Sequence, residues 1–522
     1  MKRFVFAVIG LLGMLFTNES DAQNFIPDNG ITPKYEMRAA WVASVANIDW
    51  PSRKGLSVAQ QKSEYIAIVE KAKQIGLNAL FVQIRPATDA FYHSQYDPWS
   101  EYITGKQGQH PGYDPLQFML EETHKRGMEF HAWLNPYRAV VDVRRSSIDP
   151  NHITRRRPDL FFTYGTGKIF DPGIPETRQY FVGVVKDIIN RYEVDGIHID
   201  DYFYPYKIAG KDYPDDASFR KYGNGMTKAN WRRNNVDLII KEIHEAILST
   251  KPMVRFGVSP FGIYRNKSEW SGGSDTRGTT NYNDLFADIL RWSREGWVDY
   301  VVPQLYWPIG KDGQDFRILT DWWAKNSYGR QLYIGQGFFN ANSTALWRNK
   351  HELPNQIKYM RRNDNVHGSV YFSFKSIQNN LSGWSDSLRN NYYRKPAIVP
   401  PMAWIDKTPA FSPEVWTSTS ANNYDIKISG ALNELSKRDR VKSYVLYYTP
   451  DFSDLGNAPE QILTANGANR FEFSVPLNKI PNNWNKFFAV VTTLDRENNE
   501  SEPSNIIRFE KISGRWVGYN GH

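Results

Sequence analysis

The chain has 522 residues, which exceeds the usual size of one domain, so a large domain and a smaller one are expected. Hydrophobic residues make up 41% of the chain and charged residues 23%, a globular composition that excludes intrinsic disorder. The absence of cysteine excludes disulfides and a thiolate nucleophile, and a net charge of +8 without a Lys/Arg-rich block gives no indication of a nucleic-acid partner.

The first 22 residues have the parts of a secretory signal peptide. Lys2 and Arg3 precede an apolar run over residues 4–16, and small residues follow at the two positions that signal peptidase reads. We therefore predict cleavage before Gln23 and export to the periplasm, the cell surface or the medium. A membrane anchor is the alternative, but a membrane span needs about 20 apolar residues. No apolar run of that length follows, so no integral membrane span is expected.

From Glu36 onward, short apolar runs alternate with amphipathic stretches. The predicted strands cover residues 37–45, 79–84, 129–134, 196–199, 254–259, 300–304, 332–335 and 369–373. The predicted helices cover residues 58–74, 115–126, 176–192, 231–249, 282–295, 316–326 and 353–362. Near-continuous apolar strands separated by helices indicate a parallel sheet that is covered on both faces. Eight such units over residues 36–394 predict a (β/α)8 TIM barrel. A doubly wound sheet is the alternative, but no Gly-rich fingerprint follows the first strand.

The connections of this predicted barrel have unequal lengths. The segments from helix to strand are short, whereas those from strand to helix are long, as at residues 85–114, 135–175, 201–230 and 260–281. All the long segments lie at the C-terminal face of a barrel, where the active sites of barrel enzymes are built. We therefore expect a deep site on that face.

The pattern changes after the barrel. Residues 395–402 form a Pro-rich linker, and strands with period-two alternation follow at residues 424–428, 443–448, 471–475 and 487–493. They predict a small all-β, immunoglobulin-like sandwich over residues 403–512, followed by a tail at 513–522. Residues 490–505 resemble the end of fibronectin type III domains, which implies an accessory or spacer role. Residues 23–35 are expected to be an N-terminal extension.

The strongest candidate site follows the fourth strand, in the segment VDGIHIDDYFYPY at residues 194–206. Strand alternation predicts His198 and Asp200 on one face and Asp201 on the other. Two adjacent carboxylates at the C-terminal end of a barrel strand are costly to bury without a role, because like charges raise one pKa. The alternative is that one Asp caps the loop while the other pairs with an Arg.

Further polar and aromatic side chains follow the second, third and sixth strands. Amide and guanidinium groups form directional hydrogen bonds to hydroxyl and acetamido groups, and aromatic rings form platforms for sugars. The alternative is a hydrogen-bonded polar network inside the barrel. The predicted substrate-binding residues are Arg85, His131, Trp133, Asn135, Arg138, His198, Tyr202, Gln304, Tyr306 and Trp307.

Asp171 is a third carboxylate candidate, although its position before Pro and Gly also fits an Asx turn. The histidines and carboxylates lack the spacing of a metal site, and no phosphate-binding glycine loop is present. We therefore predict neither a metal nor a cofactor.

Six segments in chain order carry a family resemblance. They are MRAAWVASVANIDWPS from Met37, GLNALFVQIRPATDAFY from Gly76, MEFHAWLNPYR from Met128, FDPG from Phe170, DGIHIDDYFYP from Asp195 and PQLYW from Pro303. They resemble the bacterial glycosyl hydrolase-like family 10, whose members include a periplasmic hydrolase of denuded peptidoglycan glycan strands. The resemblance implies a glycosidase-like barrel with Asp200 and Asp201 as the catalytic carboxylates. It also implies a set of site-lining residues, namely Asn135, Arg138, Asp171, Gln304 and Tyr306.

The fourth-strand segment also resembles the D-G-x-D-x-D-x-E signature of family 18 chitinases. In this chain His198 replaces the first inner Asp, and Tyr202 occupies the position of the catalytic Glu. This departure favours a second hypothesis, a non-catalytic glycan-binding protein that uses the same cleft. A third hypothesis is an extracellular scaffold that makes contacts through the fibronectin-like domain.

The leading hypothesis is an exported glycoside hydrolase that cleaves an amino-sugar-containing polysaccharide, with peptidoglycan glycan strands as the expected substrate. Asp200 is then the nucleophile, the base or the group that orients a substrate acetamide. Asp201 is the first candidate for the proton donor, and Asp171 is the reserve. The mild positive charge of the chain fits attraction to anionic cell-envelope polymers.

Overall fold

The structure is a computed structural model that describes residues 32–417, 424–432, 441–465 and 467–521. The predicted signal peptide and residues 23–31 of the predicted extension lie outside the described residues. Within the described ranges, no helix combines the length and the apolar character that crossing a membrane requires.

Eight parallel strands close into a barrel. The strands are β1 (Met37–Val42), β2 (Ala79–Arg85), β3 (Glu129–Leu134), β4 (Gly196–Ile199), β5 (Arg255–Val258), β6 (Tyr300–Val301 and Gln304–Leu305), β7 (Gln331–Leu332 and Ile334–Gly337) and β8 (Gly368–Phe372). Each strand pairs with its neighbour in the sequence, and β8 pairs with β1, which closes the sheet. Strands β6 and β7 are both interrupted, and their first and second halves pair separately. The predicted (β/α)8 TIM barrel is confirmed.

Helices surround the barrel. The predicted ones begin and end close to the predicted positions, and short helices that were not predicted occur in the connecting segments and after β8. They span Val58–Gln74, Glu101–Thr104, Pro115–His124, Ile153–Arg156, Pro175–Arg191, Asp216–Tyr222, Lys228–Thr250, Asn281–Asp284, Ile289–Arg294, Phe316–Lys325, Glu352–Met360, Phe374–Gln378 and Trp384–Ser387. The stretch predicted as one helix over residues 282–295 is two helices. Phe286 adopts a left-handed φ of 55°, which ends the first, and the Asp288 side chain then caps the second.

The long segment after β3, which was predicted to be a loop, contains a small sheet. Arg138–Val140, Phe161–Tyr164 and Gly167–Phe170 form a small antiparallel sheet beside the barrel mouth. This sheet holds Arg138 close to the C-terminal ends of the barrel strands.

The C-terminal region consists of two antiparallel sheets with a shared apolar core. One sheet contains β9 (Glu414–Thr417), β10 (Asp425–Ala431) and β13 (Arg470–Pro476). The other contains β11 (Ser443–Thr449), β12 (Gln461–Thr464), β14 (Lys486–Leu494), β15 (Ile507–Ile512) and β16 (Arg515–Asn520). Ile428 and Phe473 from one sheet pack with Leu446 and Phe487 from the other. The predicted all-β sandwich is confirmed, and its two sheets are compatible with a fibronectin type III fold.

The structure differs from the prediction at the C-terminus. Residues 513–522 were expected to be a tail, but β16 lies within them and pairs with β15 along its whole length. Trp516 holds this strand in place, because its ring packs edge-on against Phe487 with the ring centroids 5.0 Å apart. The sheet therefore has an additional edge strand.

The sandwich lies against the base of the barrel, at the N-terminal ends of the strands. Within the predicted linker, Ile398, Val399 and Met402 are buried, and Met402 packs in the same apolar cluster as Met37. Asn78 donates a hydrogen bond of 3.0 Å to the backbone carbonyl of Ala397. The segment that joins the two domains is therefore part of the packed interior, and the mouth at the other end stays open.

Candidate active site

A pocket of about 270 Å³ opens at the C-terminal ends of the barrel strands. Six aromatic side chains line it, namely Trp41, Trp133, Tyr202, Tyr206, Tyr306 and Phe372. Its polar groups belong to Gln83, Arg138, Asp200, Asp201, Ser259 and Gln304. Aromatic walls with a few convergent polar groups are typical of small-molecule and sugar sites.

Asp200 and Asp201 both line this pocket, and their residues are only 3% and 4% exposed. Strand alternation had predicted opposite faces for the two side chains. That prediction was wrong, because β4 ends at Ile199 and the chain turns immediately afterwards. Two carboxylates that are adjacent in sequence therefore reach the same cavity.

Three N–H groups hold the Asp200 carboxylate. Trp133 Nε1 donates to Oδ2 over 3.1 Å, Asn135 Nδ2 donates to Oδ1 over 3.1 Å, and the Tyr202 backbone N–H donates to Oδ1 over 3.3 Å. Burial raises the pKa of Asp200 to about 6, and the charge of Asp201 acts in the same direction. The Arg138 guanidinium and these hydrogen bonds oppose that rise in pKa.

Asp201 has a different set of partners. The Tyr206 hydroxyl donates to its Oδ2. The Gln304 amide also lies within hydrogen-bonding reach, and it donates to the Ser259 carbonyl over 2.9 Å. Burial raises the pKa of Asp201, although the hydrogen bonds from Tyr206 and Gln304 lower it. Both buried carboxyls therefore favour their protonated forms more than an exposed Asp does.

Arg138 is the pocket cation nearest to the carboxylates, but it does not form an ion pair with either of them. Its guanidinium stacks on the Tyr202 ring, 4.2 Å from the ring centroid, and donates to the Pro86 carbonyl. Among the described residues, no Lys or Arg nitrogen lies within 4.0 Å of an oxygen of Asp200 or Asp201. The charge at the mouth is thus left largely uncompensated.

Arg85 and Asn135 act behind the pocket wall. Arg85 is fully buried, forms an ion pair of 2.7 Å with Asp97, and donates a hydrogen bond of 2.5 Å to the Asn135 carbonyl. The Asn135 side chain then donates to Asp200 and accepts from the Arg138 backbone N–H over 2.8 Å. The two predicted substrate-binding residues are therefore positioned to orient Asp200, and neither lines the pocket.

His131 and His198 lie in the barrel interior, below the pocket. His131 contacts Glu129 and the Tyr300 hydroxyl, and His198 accepts a hydrogen bond of 3.2 Å from Trp41 Nε1. Burial lowers the pKa of both histidines and so favours their neutral forms. They belong to the interior polar network that the sequence left open as an alternative. A Cβ at Gly257 would lie 2.1 Å from the Tyr300 ring, so only glycine leaves room for this packing.

The structure does not bring Asp171 or Trp307 into the pocket. Asp171 accepts from the Gly173 backbone N–H over 2.9 Å, as in an Asx turn, and from the Ser218 hydroxyl over 2.6 Å. Trp307 packs edge-on against Phe261. Seven of the predicted site residues do line the pocket, namely Trp133, Arg138, Asp200, Asp201, Tyr202, Gln304 and Tyr306.

Several pocket residues were not predicted from the sequence. Trp41, Gln83 and Phe372 stand at or near the C-terminal ends of β1, β2 and β8. Strand alternation, which identified inward-facing side chains on β3 and β4, could have identified these three residues in the same way. Tyr206 lies within the fourth-strand segment that had been singled out, but only the tertiary contact links it to Asp201.

One group of three carboxylates in the described ranges has ligand atoms within 4.8 Å of one another, as a metal site needs. It consists of Asp406, Asp495 and Glu497. None of the three lines the pocket at the mouth. The chemistry of the mouth therefore rests on carboxyl, amide, guanidinium and aromatic groups.

Comparisons with known proteins agree with these features. Residues 36–351 match the family Glycosyl hydrolase-like 10. The Bacillus subtilis protein Glycosyl hydrolase YngK is 41% identical over 477 residues, which cover 90% of this chain and 92% of that protein. The Escherichia coli K12 protein Glycosyl hydrolase DigH is 37% identical over 362 residues, which cover 64% of this chain and 82% of that protein.

Solved structures resemble this chain at lower sequence identity than these relatives do. The glycoside hydrolase domain of PgaB (BpsB) from Bordetella bronchiseptica has a TM-score of 0.45 and 12% identity, and it covers 68% of this chain and 98% of that chain. The family match spans β1 to β7 and contains both carboxylates of the mouth. The chain therefore belongs to the Glycosyl hydrolase-like 10 family of glycoside hydrolases.

Proposed function

We propose that this glycoside hydrolase cleaves the glycan chain of an amino-sugar-containing polysaccharide, with peptidoglycan strands as the substrate, in the pocket at the barrel mouth. One observation carries the proposal. Asp200 and Asp201 are both buried and both line the same aromatic pocket, and neither has a cation within 4.0 Å in the described part of the chain. Buried carboxylates without compensating cations are costly, and active sites are where such groups are retained.

Hydrolysis of a glycosidic bond needs one group that protonates the leaving oxygen and another that acts as base, nucleophile or acetamide orienter. We assign the second role to Asp200, because three N–H donors converge on its oxygens and favour the carboxylate form. We assign the proton donor role to Asp201, because it is the other buried carboxyl that lines the pocket and burial raises its pKa, as it does that of Asp200.

The substrate class is inferred from the walls of the pocket. A volume of about 270 Å³ lies just below the usual range for ligand pockets, which suits recognition of a single sugar unit within a chain. Trp41 and Tyr306 offer aromatic surface to a sugar ring, while Gln83 and Arg138 offer hydrogen-bond donors to hydroxyl and acetamido oxygens. The family resemblance supports peptidoglycan among such polymers.

Export is part of the same proposal. It is supported by the basic residues at the start of the chain and by the apolar run over residues 4–16. It is also supported by the small residues at the two positions that signal peptidase reads before Gln23. A peptidoglycan substrate is located outside the cytoplasm, so the proposed compartment and the proposed substrate are consistent with each other.

The test is release of new reducing ends from three polymers incubated with the purified protein. The polymers are denuded peptidoglycan strands, chitin oligomers and a β-linked glucan that lacks acetamido groups. We expect cleavage of the acetamido-containing polymers and none of the glucan, and we expect Asp201→Asn to abolish cleavage while binding persists. Equal cleavage of the glucan would contradict the substrate class. Binding of all three polymers without any cleavage would support the glycan-binding alternative.

A further inference from the structure

A second and larger cavity lies at the opposite end of the barrel. It has a volume of about 670 Å³, against about 270 Å³ for the pocket at the mouth. Its walls come from the end of the helix Val58–Gln74, from residues 389–399 and from the facing sheet of the sandwich. We call it the junction cleft, because it lies where the barrel base meets the sandwich.

The junction cleft is lined by cations that lack carboxylate partners. Lys73, Arg389, Arg394 and Lys479 all line it. Over the described ranges, none of the four has a carboxylate oxygen within 4.0 Å. A typical surface mixes both signs of charge, so four uncompensated cations around one concavity are an unusual concentration. Clefts lined by one sign of charge focus the electrostatic field and attract ligands of the opposite sign.

The acidic side of the junction cleft is already neutralised. Its carboxylate is Glu129, which pairs with Arg255 and, over 2.7 Å, with the cleft residue Lys442. Lys442 is therefore compensated, whereas Lys73, Arg389, Arg394 and Lys479 are exposed and have no carboxylate partner in the described ranges. The net field in the cleft is therefore positive.

Neutral polar groups accompany these cations. The amide side chains of Gln74 and Asn390 line the cleft, and both are exposed. Guanidinium and ammonium groups bind carboxylates, and amides bind hydroxyls. A ligand that alternates carboxylate and hydroxyl groups along a chain matches this combination, and acidic polysaccharides have that chemistry.

We propose that the junction cleft binds a linear acidic polysaccharide through its carboxylate groups. This binding site is separate from the pocket at the mouth, because the two cavities share no lining residue and lie at opposite ends of the barrel. The inference does not depend on the proposed substrate. Its consequence is that the protein is held on an anionic polymer while the mouth stays free.

The test is calorimetric titration of the full chain with oligogalacturonate, which carries one carboxylate on each sugar. The test variant is the double substitution Arg389→Ala and Arg394→Ala. Both arginines are exposed and have no hydrogen bond or ion pair from their side chains in the described ranges, so folding is expected to be unchanged. We expect at least about tenfold weaker binding, and an affinity of the native protein that falls as salt is added. Turnover at the mouth should be unaffected.

A matched control joins Lys325→Ala with Arg348→Ala. These two cations are also exposed and unpaired in the described part of the chain, but they lie outside the junction cleft. They should leave oligogalacturonate binding unchanged. Equal binding by the native protein and the Arg389/Arg394 variant would overturn the proposal. So would binding of inorganic polyphosphate without binding of oligogalacturonate, since the ligand would then be a phosphate polymer.

Discussion

The two ends of the barrel place their carboxylates in different electrostatic surroundings, and the two ends of strand β4 show the difference. Asp195 precedes β4 at the base, where His124 lies 2.8 Å away and holds the pKa of Asp195 at about 2, against the effect of burial. Asp200 follows the same strand at the mouth, where burial raises its pKa to about 6. The residues are five positions apart, so the difference comes from their surroundings and not from the local sequence.

The same contrast extends across each end. At the base, Glu129 is buried between Arg255 and Lys442, and these cations hold its pKa well below the usual range even though burial acts in the opposite direction. At the mouth, Asp200 and Asp201 receive hydrogen bonds, but neither forms an ion pair with any residue that the structure describes. Charge at the base is compensated and serves the fold, whereas charge at the mouth is left available for chemistry.

The largest expected effect is on catalysis at the mouth. Asp200→Asn keeps the volume of the side chain but removes the charge that an oxocarbenium-like transition state requires. We expect turnover to fall at least 10³-fold, about 4 kcal/mol of transition-state stabilisation. The measurement is reducing-end release beside a glycan-binding titration.

The matched control for that prediction lies at the other end of the same strand. Asp195→Asn removes the charge next to His124, which should lower the free energy of unfolding but leave turnover per folded molecule unchanged. Native-like turnover by Asp200→Asn, or an equal loss of turnover in Asp195→Asn, would contradict this hypothesis. The hypothesis is that carboxylates at the mouth serve catalysis and those at the base serve the fold.

The next effect is on stability at the base. Glu129→Gln leaves Arg255 and Lys442 without their shared carboxylate, so the free energy of unfolding should fall by about 3–5 kcal/mol. Because the pKa of Glu129 is lowered by folding, its contribution is present above the unfolded pKa and is lost as the pH falls through the folded pKa. Denaturant unfolding at neutral and acidic pH measures both effects.

The corresponding exposed control is Glu70→Gln. Glu70 forms a surface ion pair of 2.6 Å with Arg126 and is 62% exposed, so its loss should cost less than about 1 kcal/mol. A similar cost for Glu129→Gln would mean that burial at the base adds little to the value of these ion pairs.

The smallest effect is on the pH dependence of the mouth. Asp200 acts in its ionised form, so turnover should fall as the pH drops through its pKa, with a midpoint near pH 6. The Arg138 guanidinium lowers that pKa, and Arg138→Gln should therefore move the midpoint to higher pH by roughly one unit. Arg138→Lys keeps the positive charge and should leave the midpoint near that of the native protein. A midpoint that moves to lower pH in Arg138→Gln would contradict the assignment of Asp200.

The fold was predictable because its signal is local and repeated. Parallel strands that are covered on both faces appear as continuous apolar runs, and eight of them in order predict a barrel and the face that carries its site. The same logic located Asp200, Gln304 and Tyr306 at the mouth. It also placed Asp201 at the mouth but predicted the wrong face for its side chain, because alternation applies only within a strand and β4 ends two residues earlier.

The sequence by itself therefore determined the barrel, the sandwich and the segment that carries the two carboxylates, since each depends on neighbours along the chain. Only the tertiary structure decided which side chains meet. Arg85 reaches Asn135 across 50 positions, and Lys442 reaches Glu129 across 313 positions. Contacts between residues so far apart in the chain leave no periodic pattern in a single sequence. The burial of these side chains and the compensation of their charges depend on such contacts. For that reason the pKa values that distinguish Asp200 from Asp195, and the cations of the junction cleft, became visible only in the folded chain.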